Sequence, residues 1–187
     1  LGALTLLGCA IKPSPPATGV IHSKQGALRI AFPDATAVQA KNVFLTKAES
    51  LAIRNTAGSG LSSRMVTVYV GHQGKHCLGY GFIDTHRVKQ QDETLMIVVS
   101  PAGKVQAVHM LAFHDTPGKK PSNRWLGQFR GKGLSPKLRL GDEVDGITGA
   151  TYSANAVTGA VRRALAIYQV VLSTGNRVPC AFPAKKG

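Results

Sequence analysis

The run DGITGATYS at positions 145–153 combines small residues with hydroxyl side chains directly before a long helical pattern. Gly149 and Ala150 lack bulky side chains, so a ligand can approach the backbone closely there. Thr151 presents a hydroxyl at the start of the helix, where unpaired N–H groups and the helix dipole favour an anion. This arrangement suits a phosphate group. The simpler alternative is an ordinary helix capped by a hydroxyl side chain.

The helix that follows has one apolar stripe. Beyond Ala154 the apolar residues recur at helical spacing, at Val157, Val161, Ala164, Leu165, Tyr168, Val171 and Leu172. We predict that Thr151 or Ser153 caps this helix, because either hydroxyl can accept a hydrogen bond from a first-turn N–H group. Gly175 and Asn176 predict where the helix stops.

The run at 145–153 resembles the flavinylation motif of the bacterial FMN-binding domain family. That family includes the covalent-flavin subunits of Rnf-type complexes and of the sodium-pumping NADH:quinone reductase. There the threonine after Gly-Ala carries FMN as a phosphoester, which the resemblance places on Thr151. The motif's acidic residue falls on Asp145 and its small hydroxyl residue on Thr148. The implied cofactor site comprises Asp145, Gly146, Thr148, Gly149, Ala150 and Thr151.

Three further segments resemble small periplasmic members of this family, at positions 81–88, 112–118 and 124–132. The likeness extends over roughly residues 25–172. The larger complex subunits read Glu-Thr-Pro-Gly-Leu-Gly in the loop before the tryptophan, whereas this chain reads DTPGKK at 115–120. This departure concerns the flavin-ring contacts from that loop and leaves the acceptor motif intact.

Other side chains must hold the isoalloxazine ring if Thr151 holds the phosphate. The resemblance makes Thr116 and Pro117 candidates, because the family loop lies there. Trp125 is a candidate stacking ring, although a tryptophan four residues before Phe129 also fits a core position. The polar cluster at 84–87 follows a strand-like run. It either contacts the flavin or shapes its pocket, or it forms an exposed strand-to-loop segment.

The resemblance also implies a reaction and partners. A separate flavin transferase would move the FMN part of FAD onto the threonine with magnesium, and Asp145 would matter for recognition by that enzyme. The chain would then be an electron carrier rather than a catalyst with its own substrate, exchanging electrons with redox proteins or quinone. The alternative is a non-redox module of the same fold that binds an anion, or serves as a scaffold, without flavin.

The composition is strongly basic. The chain has 187 residues and a net charge of +14, from 23 Lys and Arg against 9 Asp and Glu. The basic residues are dispersed, and neither a basic block, zinc-finger spacing nor an aromatic RNA-binding signature accompanies them. We therefore expect no nucleic-acid partner. The charge instead favours docking on an acidic redox partner or an anionic membrane surface.

The amino-terminal residues predict export. Residues 1–11 are uncharged and almost wholly apolar, too short a run to cross a bilayer, and a proline-rich stretch follows to residue 19. LLGC at 6–9 resembles a lipobox with a lipidated Cys9, and cleavage as a soluble exported protein is the alternative. Both imply the periplasm or the outer face of a bacterial membrane. The expected divisions are a tether at 1–19, an FMN-binding domain at 20–173 and a basic tail at 174–187.

Two cysteines remain in the expected domain and tail. Cys77 and Cys180 could form a disulfide in an oxidising compartment, although the sequence does not show that they meet. The chain has neither a CxxC motif for thioredoxin-like chemistry nor a CxxCH motif for c-type haem. His72 and His76 beside Cys77 could suggest a metal site, but an exposed glycine-rich turn is the simpler interpretation.

Closely spaced strand-like runs predict the architecture. They lie at 38–44, 64–70, 77–83, 94–99 and 105–114, with turns at 71–74 and 101–103. Short connections imply antiparallel pairing. Short helices are predicted at 25–32 and 121–129, and a Thr46–Glu49 capping box opens another that runs to Thr56. We predict an α+β fold, in which helices back an antiparallel sheet and the long helix follows the turn.

Overall fold

A computed structural model describes residues 23–175 and 177–180. The expected tether with Cys9, and most of the basic tail, lie outside the described residues. The elements follow in the order α1 (Lys24–Ala31), β1 (Ala37–Phe44), α2 (Lys47–Ala57), β2 (Met65–Gln73), β3 (His76–Val88), β4 (Gln91–Val99), β5 (Val105–Phe113), α3 (Asn123–Gly127) and α4 (Thr151–Ile167). A π-helical segment, Tyr168–Leu172, continues α4.

The five strands form one sheet in chain order, and every neighbouring pair is antiparallel. The α+β prediction is therefore confirmed. Two of the predicted strand boundaries were wrong. The residues assigned to a turn at 71–74 continue β2 as far as Gln73, because His72 pairs with Ala37 on one side and Cys77 on the other. The polar cluster at 84–87 is not a loop, because β3 continues to Val88 and these residues pair with residues 92–95 of β4.

Helices cover both faces of the sheet. The larger core lies between the sheet and the helices α2 and α4, and the predicted stripe on α4 is buried in it. A smaller cluster lies on the opposite face under α1, where Phe32 packs against Gly71 and Gly81. Among the described helices, none is long and apolar enough to span a bilayer.

Local signals define several helix ends as predicted. The Thr46 hydroxyl accepts from the Glu49 N–H at 3.1 Å, and Glu49 accepts from the Thr46 N–H at 2.7 Å. This reciprocal capping box begins α2, and Gly58 in the left-handed conformation ends it. Gly175, at φ +69°, follows the last turn of the α4 extension and donates its N–H to the Leu172 carbonyl.

A disulfide joins Cys77 of β3 to Cys180, with the two Cα atoms 5.4 Å apart. The preceding residues are also attached to the body of the domain. The Tyr80 hydroxyl donates to the Val178 carbonyl at 3.4 Å, and Arg177 donates to Glu49 at 2.7 Å. Because Cys77 is bonded to another cysteine, its thiolate is not available as a metal ligand beside His76.

Candidate functional site

A tight turn precedes α4 and contains the small residues of the motif. The Ala150 N–H donates to the Ile147 carbonyl at 3.0 Å, which closes the turn. Gly149 adopts φ +75°, which a type II turn requires at its third residue and which favours glycine. No heavy atom lies within 4 Å of where a Cβ on Gly149 would be. The space beside Gly149 is therefore not filled by other described residues.

The prediction that Thr151 or Ser153 caps α4 was wrong. The turn closes at Ala150, so this residue occupies the N-cap position and its carbonyl accepts from the Ala154 N–H at 3.0 Å. Thr151 is the first helical residue, and its side chain is exposed. No side chain among the described residues caps the helix. The N–H groups of the first turn therefore remain open to an anion.

The short helix α3 holds the backbone before the turn. The Trp125 indole N–H donates to the Asp145 carbonyl at 2.9 Å, and the Asp145 N–H donates to the Gln128 side-chain oxygen at 2.8 Å. Trp125 also packs edge-on against Phe129 at 5.4 Å, on the margin of the main core. The structure thus brings Trp125 and Asp145 together through the backbone, and the Asp145 side chain stays exposed.

The tip of the β3–β4 hairpin lies at the start of α4. The Lys89 ammonium is 4.6 Å from the centre of the Tyr152 ring, and Tyr152 is 66% exposed. Lys89 has φ +55°, the one positive value on a non-glycine residue in the described part of the chain. The exposed hairpin tip and the turn before α4 therefore occupy the same end of the domain.

The loop with Thr116 and Pro117 starts near the same end. β5 finishes at Phe113, the register partner of Glu93, and the Glu93 side chain contacts the first turn of α4. The Asp115 carboxylate accepts a hydrogen bond from the Thr116 N–H at 2.6 Å and another from the Lys119 ammonium at 3.3 Å. The bond from Thr116 is the main cause that lowers the pKa of Asp115. Thr116 and Pro117 are exposed. Within the described ranges, neither forms a hydrogen bond with the 145–151 turn.

A chain of polar side chains, buried at Ser153 and Glu93 and half-buried in its other members, runs from Ser153 to Arg163. The Ser153 hydroxyl donates to Glu93 at 2.7 Å, and the other Glu93 oxygen is 3.4 Å from His86 Nε2. His86 Nδ1 is 2.9 Å from Asp84, which accepts two hydrogen bonds from Arg163 at 2.7 and 2.9 Å. We call these five residues the buried polar chain.

Hydrogen bonds within this chain shift two pKa values. Burial alone would lower the pKa of His86, but the bonds to Asp84 and Glu93 outweigh it and raise the pKa above 6.5. Burial alone would raise the pKa of Asp84, yet the bonds from His86 and Arg163 bring it below 3.8. The arrangement therefore favours imidazolium and carboxylate forms.

Sequence reasoning found the 84–87 segment but missed Glu93 and Arg163. The signal for Glu93 was its position in the alternation of β4, since Leu95, Ile97 and Val99 all face the main core. Extending that period places the Glu93 side chain inward. Arg163 carried no such signal, because its partner lies on a distant strand.

One cleft lies away from the turn at 147–150. It has a volume of about 550 Å³ and is lined by Thr67, Phe82, Asp84, His86, Arg163 and Ile167, among others. It opens where β2 and β3 separate, since their pairing reaches only Tyr69 and Gly81. Arg163 lies roughly 18 Å along the helix from Thr151, at 1.5 Å per residue. The buried polar chain connects the two regions.

Comparisons with known proteins agree with the resemblance at the motif. The FMN-binding domain family matches residues 89–166, which run from the hairpin tip through the turn to α4. The chain is also 26% identical over 147 residues to a subunit of the Na(+)-translocating ferredoxin:NAD(+) oxidoreductase complex of Acetobacterium woodii. That alignment covers 73% of this chain and 68% of the relative. Residues 89–166 of the chain therefore match the FMN-binding domain family.

Proposed function

We propose that this protein is an exported electron-transfer flavoprotein that carries FMN as a phosphoester on Thr151. The observation that carries the proposal is the exposed Thr151 hydroxyl on the first residue of an uncapped helix, within the part of the chain that matches the family. The relative is named as part of an oxidoreductase complex, which supports a role in electron transfer.

The turn has the features that a phosphoester needs. The first-turn N–H groups and the helix dipole would stabilise the remaining negative charge on the phosphate. Gly146 and Gly149 leave open space where other residues would have a Cβ. Thr148 and Ala150 complete the proposed phosphate-binding turn. When bound, FMN supplies one- and two-electron transfer, and the protein sets its potential and its access to partners.

The attachment would use a flavin transferase as a separate enzyme with magnesium. Thr151 Oγ forms the new bond to the FMN phosphorus of FAD, the pyrophosphate P–O bond breaks, and AMP leaves. The hydroxyl proton passes to a base on the transferase or to water. The exposed Asp145 carboxylate is available for recognition by that enzyme, because α3 holds Asp145 only by its backbone.

Thr116, Pro117 and Trp125 are the proposed ring contacts. The first two are exposed in a loop that starts beside the first turn of α4, and Trp125 is half-buried next to the Asp145 backbone. We further propose that residues 1–19 tether the domain outside the cytoplasm, through a lipid on Cys9. Redox proteins or quinone would be its electron donor and acceptor.

Peptide mass spectrometry tests the covalent flavin. The chain is exported from a host that carries the transferase, and the peptide containing Thr151 should gain the mass of FMN less one water. A Thr151→Ala variant should be colourless. A control variant, Thr56→Ala, removes an exposed helix hydroxyl elsewhere and should stay yellow.

The alternative of a non-redox module is distinguished by the same experiment. The uncapped helix start, which could bind a free anion, favours this second candidate. It predicts unmodified Thr151 and a colourless protein even when the transferase is active on a known acceptor. That result would exclude the covalent-flavin proposal.

A further inference from the structure

The last hydroxyl of the motif points into the protein. Ser153 is 2% exposed, whereas Thr151 and Tyr152 on the same helical turn are exposed. Its hydroxyl donates to Glu93 at 2.7 Å, and Glu93 is itself completely buried in β4. The first turn of α4 is thus joined to the sheet by a hydrogen bond to a buried carboxylate.

A completely buried carboxylate is costly unless hydrogen bonds and opposite charges compensate it. Glu93 has both. One oxygen accepts from Ser153, and the other faces His86 on the neighbouring strand. His86 and Arg163 provide the positive charge that balances Glu93 and Asp84. Glu93 therefore has partners on the acceptor helix and on β3, and its side chain is held from two directions.

We infer that Glu93 is a positioning residue for the flavin acceptor: through Ser153 it fixes the first turn of α4 and so the orientation of the Thr151 hydroxyl. The inference rests on the proposed function. It assigns the final serine of the motif to the sheet rather than to the phosphate.

The start of α4 needs such an attachment. No side-chain cap holds it within the described residues, and uncapped helix ends fray. The contact between Lys89 and Tyr152 is exposed, where cation–π contacts contribute little. Among the described residues, the first turn of α4 has one side-chain hydrogen bond to the sheet, which the Ser153 hydroxyl donates to Glu93. A transferase that must align one hydroxyl with a phosphorus atom benefits from this fixed geometry.

The rate of flavin incorporation tests the inference. Purified, folded apoprotein is incubated with transferase, magnesium and FAD, and covalent flavin per folded molecule is followed by intact mass. Ser153→Ala should lower the initial rate about tenfold, the size expected for losing one buried hydrogen bond to a charged group. Glu93→Gln should also lower the rate, because it places an amide N–H against His86.

Thr158→Val is the matched control. Thr158 is a buried hydroxyl on the same helix, but it donates to the Ala154 carbonyl of that helix at 2.7 Å. This variant should incorporate flavin at the wild-type rate even where it loses as much stability as Ser153→Ala.

Hydrogen exchange provides a readout that does not need flavin. The Ala154 amide bonds to the Ala150 carbonyl, so it reports on the first turn, and it should exchange faster in apo Ser153→Ala than in the wild type or Thr158→Val. Equal exchange and equal incorporation in all three proteins would overturn the inference. Wild-type protein that takes no flavin on Thr151 would instead overturn the proposed function, and the exchange comparison would still decide whether the Ser153–Glu93 hydrogen bond holds the first turn of α4.

Discussion

At the scale of single residues, exposure distinguishes two hydroxyls that the sequence pattern treats alike. Thr151 faces solvent, while Ser153 is buried against Glu93. The reason is helical geometry, since residues two apart are rotated by about 200° around a helix of 3.6 residues per turn. One motif can therefore present one hydroxyl outward and attach the helix with the other. The turn that starts this arrangement depends on Gly149.

We expect Gly149→Ala to destabilise the protein by about 1–2 kcal/mol, because an L side chain at φ +75° is strained even in open space. Urea unfolding of the two proteins measures the difference. Gly118→Ala is the control, since Gly118 is exposed, does not have a positive φ and also has open space around its Cβ position. Similar losses at both glycines would contradict the role assigned to the turn.

At the scale of elements, the β3–β4 hairpin carries the groups that hold α4. Asp84 on β3 accepts from Arg163, and Glu93 on β4 accepts from Ser153, ten residues before Arg163 on the helix. His86 on β3 lies between the two carboxyl groups and contacts both. Two carboxylates are balanced by one guanidinium and by a histidine whose pKa is raised. Stability at this junction should therefore depend on pH.

The free energy of unfolding should fall as the pH rises through the folded-state pKa of His86. This pKa is above 6.5, so the imidazolium stabilises the fold fully below 6.5 and its contribution is lost above the raised value. Asp84 acts oppositely, since its pKa is below 3.8 and its contribution is lost as the pH falls through that lowered value. His86→Gln should remove the alkaline decline in urea unfolding between about pH 5 and 9. A flat wild-type profile across this range would contradict the interpretation.

At the scale of the whole molecule, contacts between residues far apart in the sequence hold the domain together. The disulfide joins residues 103 apart, and Arg177 binds Glu49 and the Phe44 carbonyl. Arg162 donates to the carbonyls of Thr56, Ala57, Ser135 and Leu138, so α4 is fastened to the end of α2 and to the segment before the turn. These links stabilise the domain that carries the turn before α4.

Replacing Cys77 and Cys180 together with serine should destabilise the protein by about 2–5 kcal/mol, because the unfolded chain loses a constraint that closes a long loop. Thermal unfolding measures the change. A reducing agent should lower the Tm of the wild type and leave that of the double variant unchanged. A wild-type Tm that does not respond to complete reduction would show that the disulfide contributes little.

The features that depend on local pattern could be predicted from the amino-acid sequence. Alternation and short connections predicted an antiparallel sheet, apolar spacing predicted the buried stripe of α4, and Thr46 with Glu49 predicted a reciprocal cap. The motif from Asp145 to Ser153 was also visible locally. Such signals are readable because they involve residues within one or two turns of each other.

The groups that the motif contacts become known from the folded structure. Ala150 rather than a hydroxyl residue stands at the N-cap, because the turn before it closes one residue earlier than the helix pattern indicates. Ser153 meets Glu93 across 60 residues, and Cys77 meets Cys180 across 103. These pairings depend on how the strands and helices pack against each other. The sequence alone does not specify which inward-facing polar groups will be in contact.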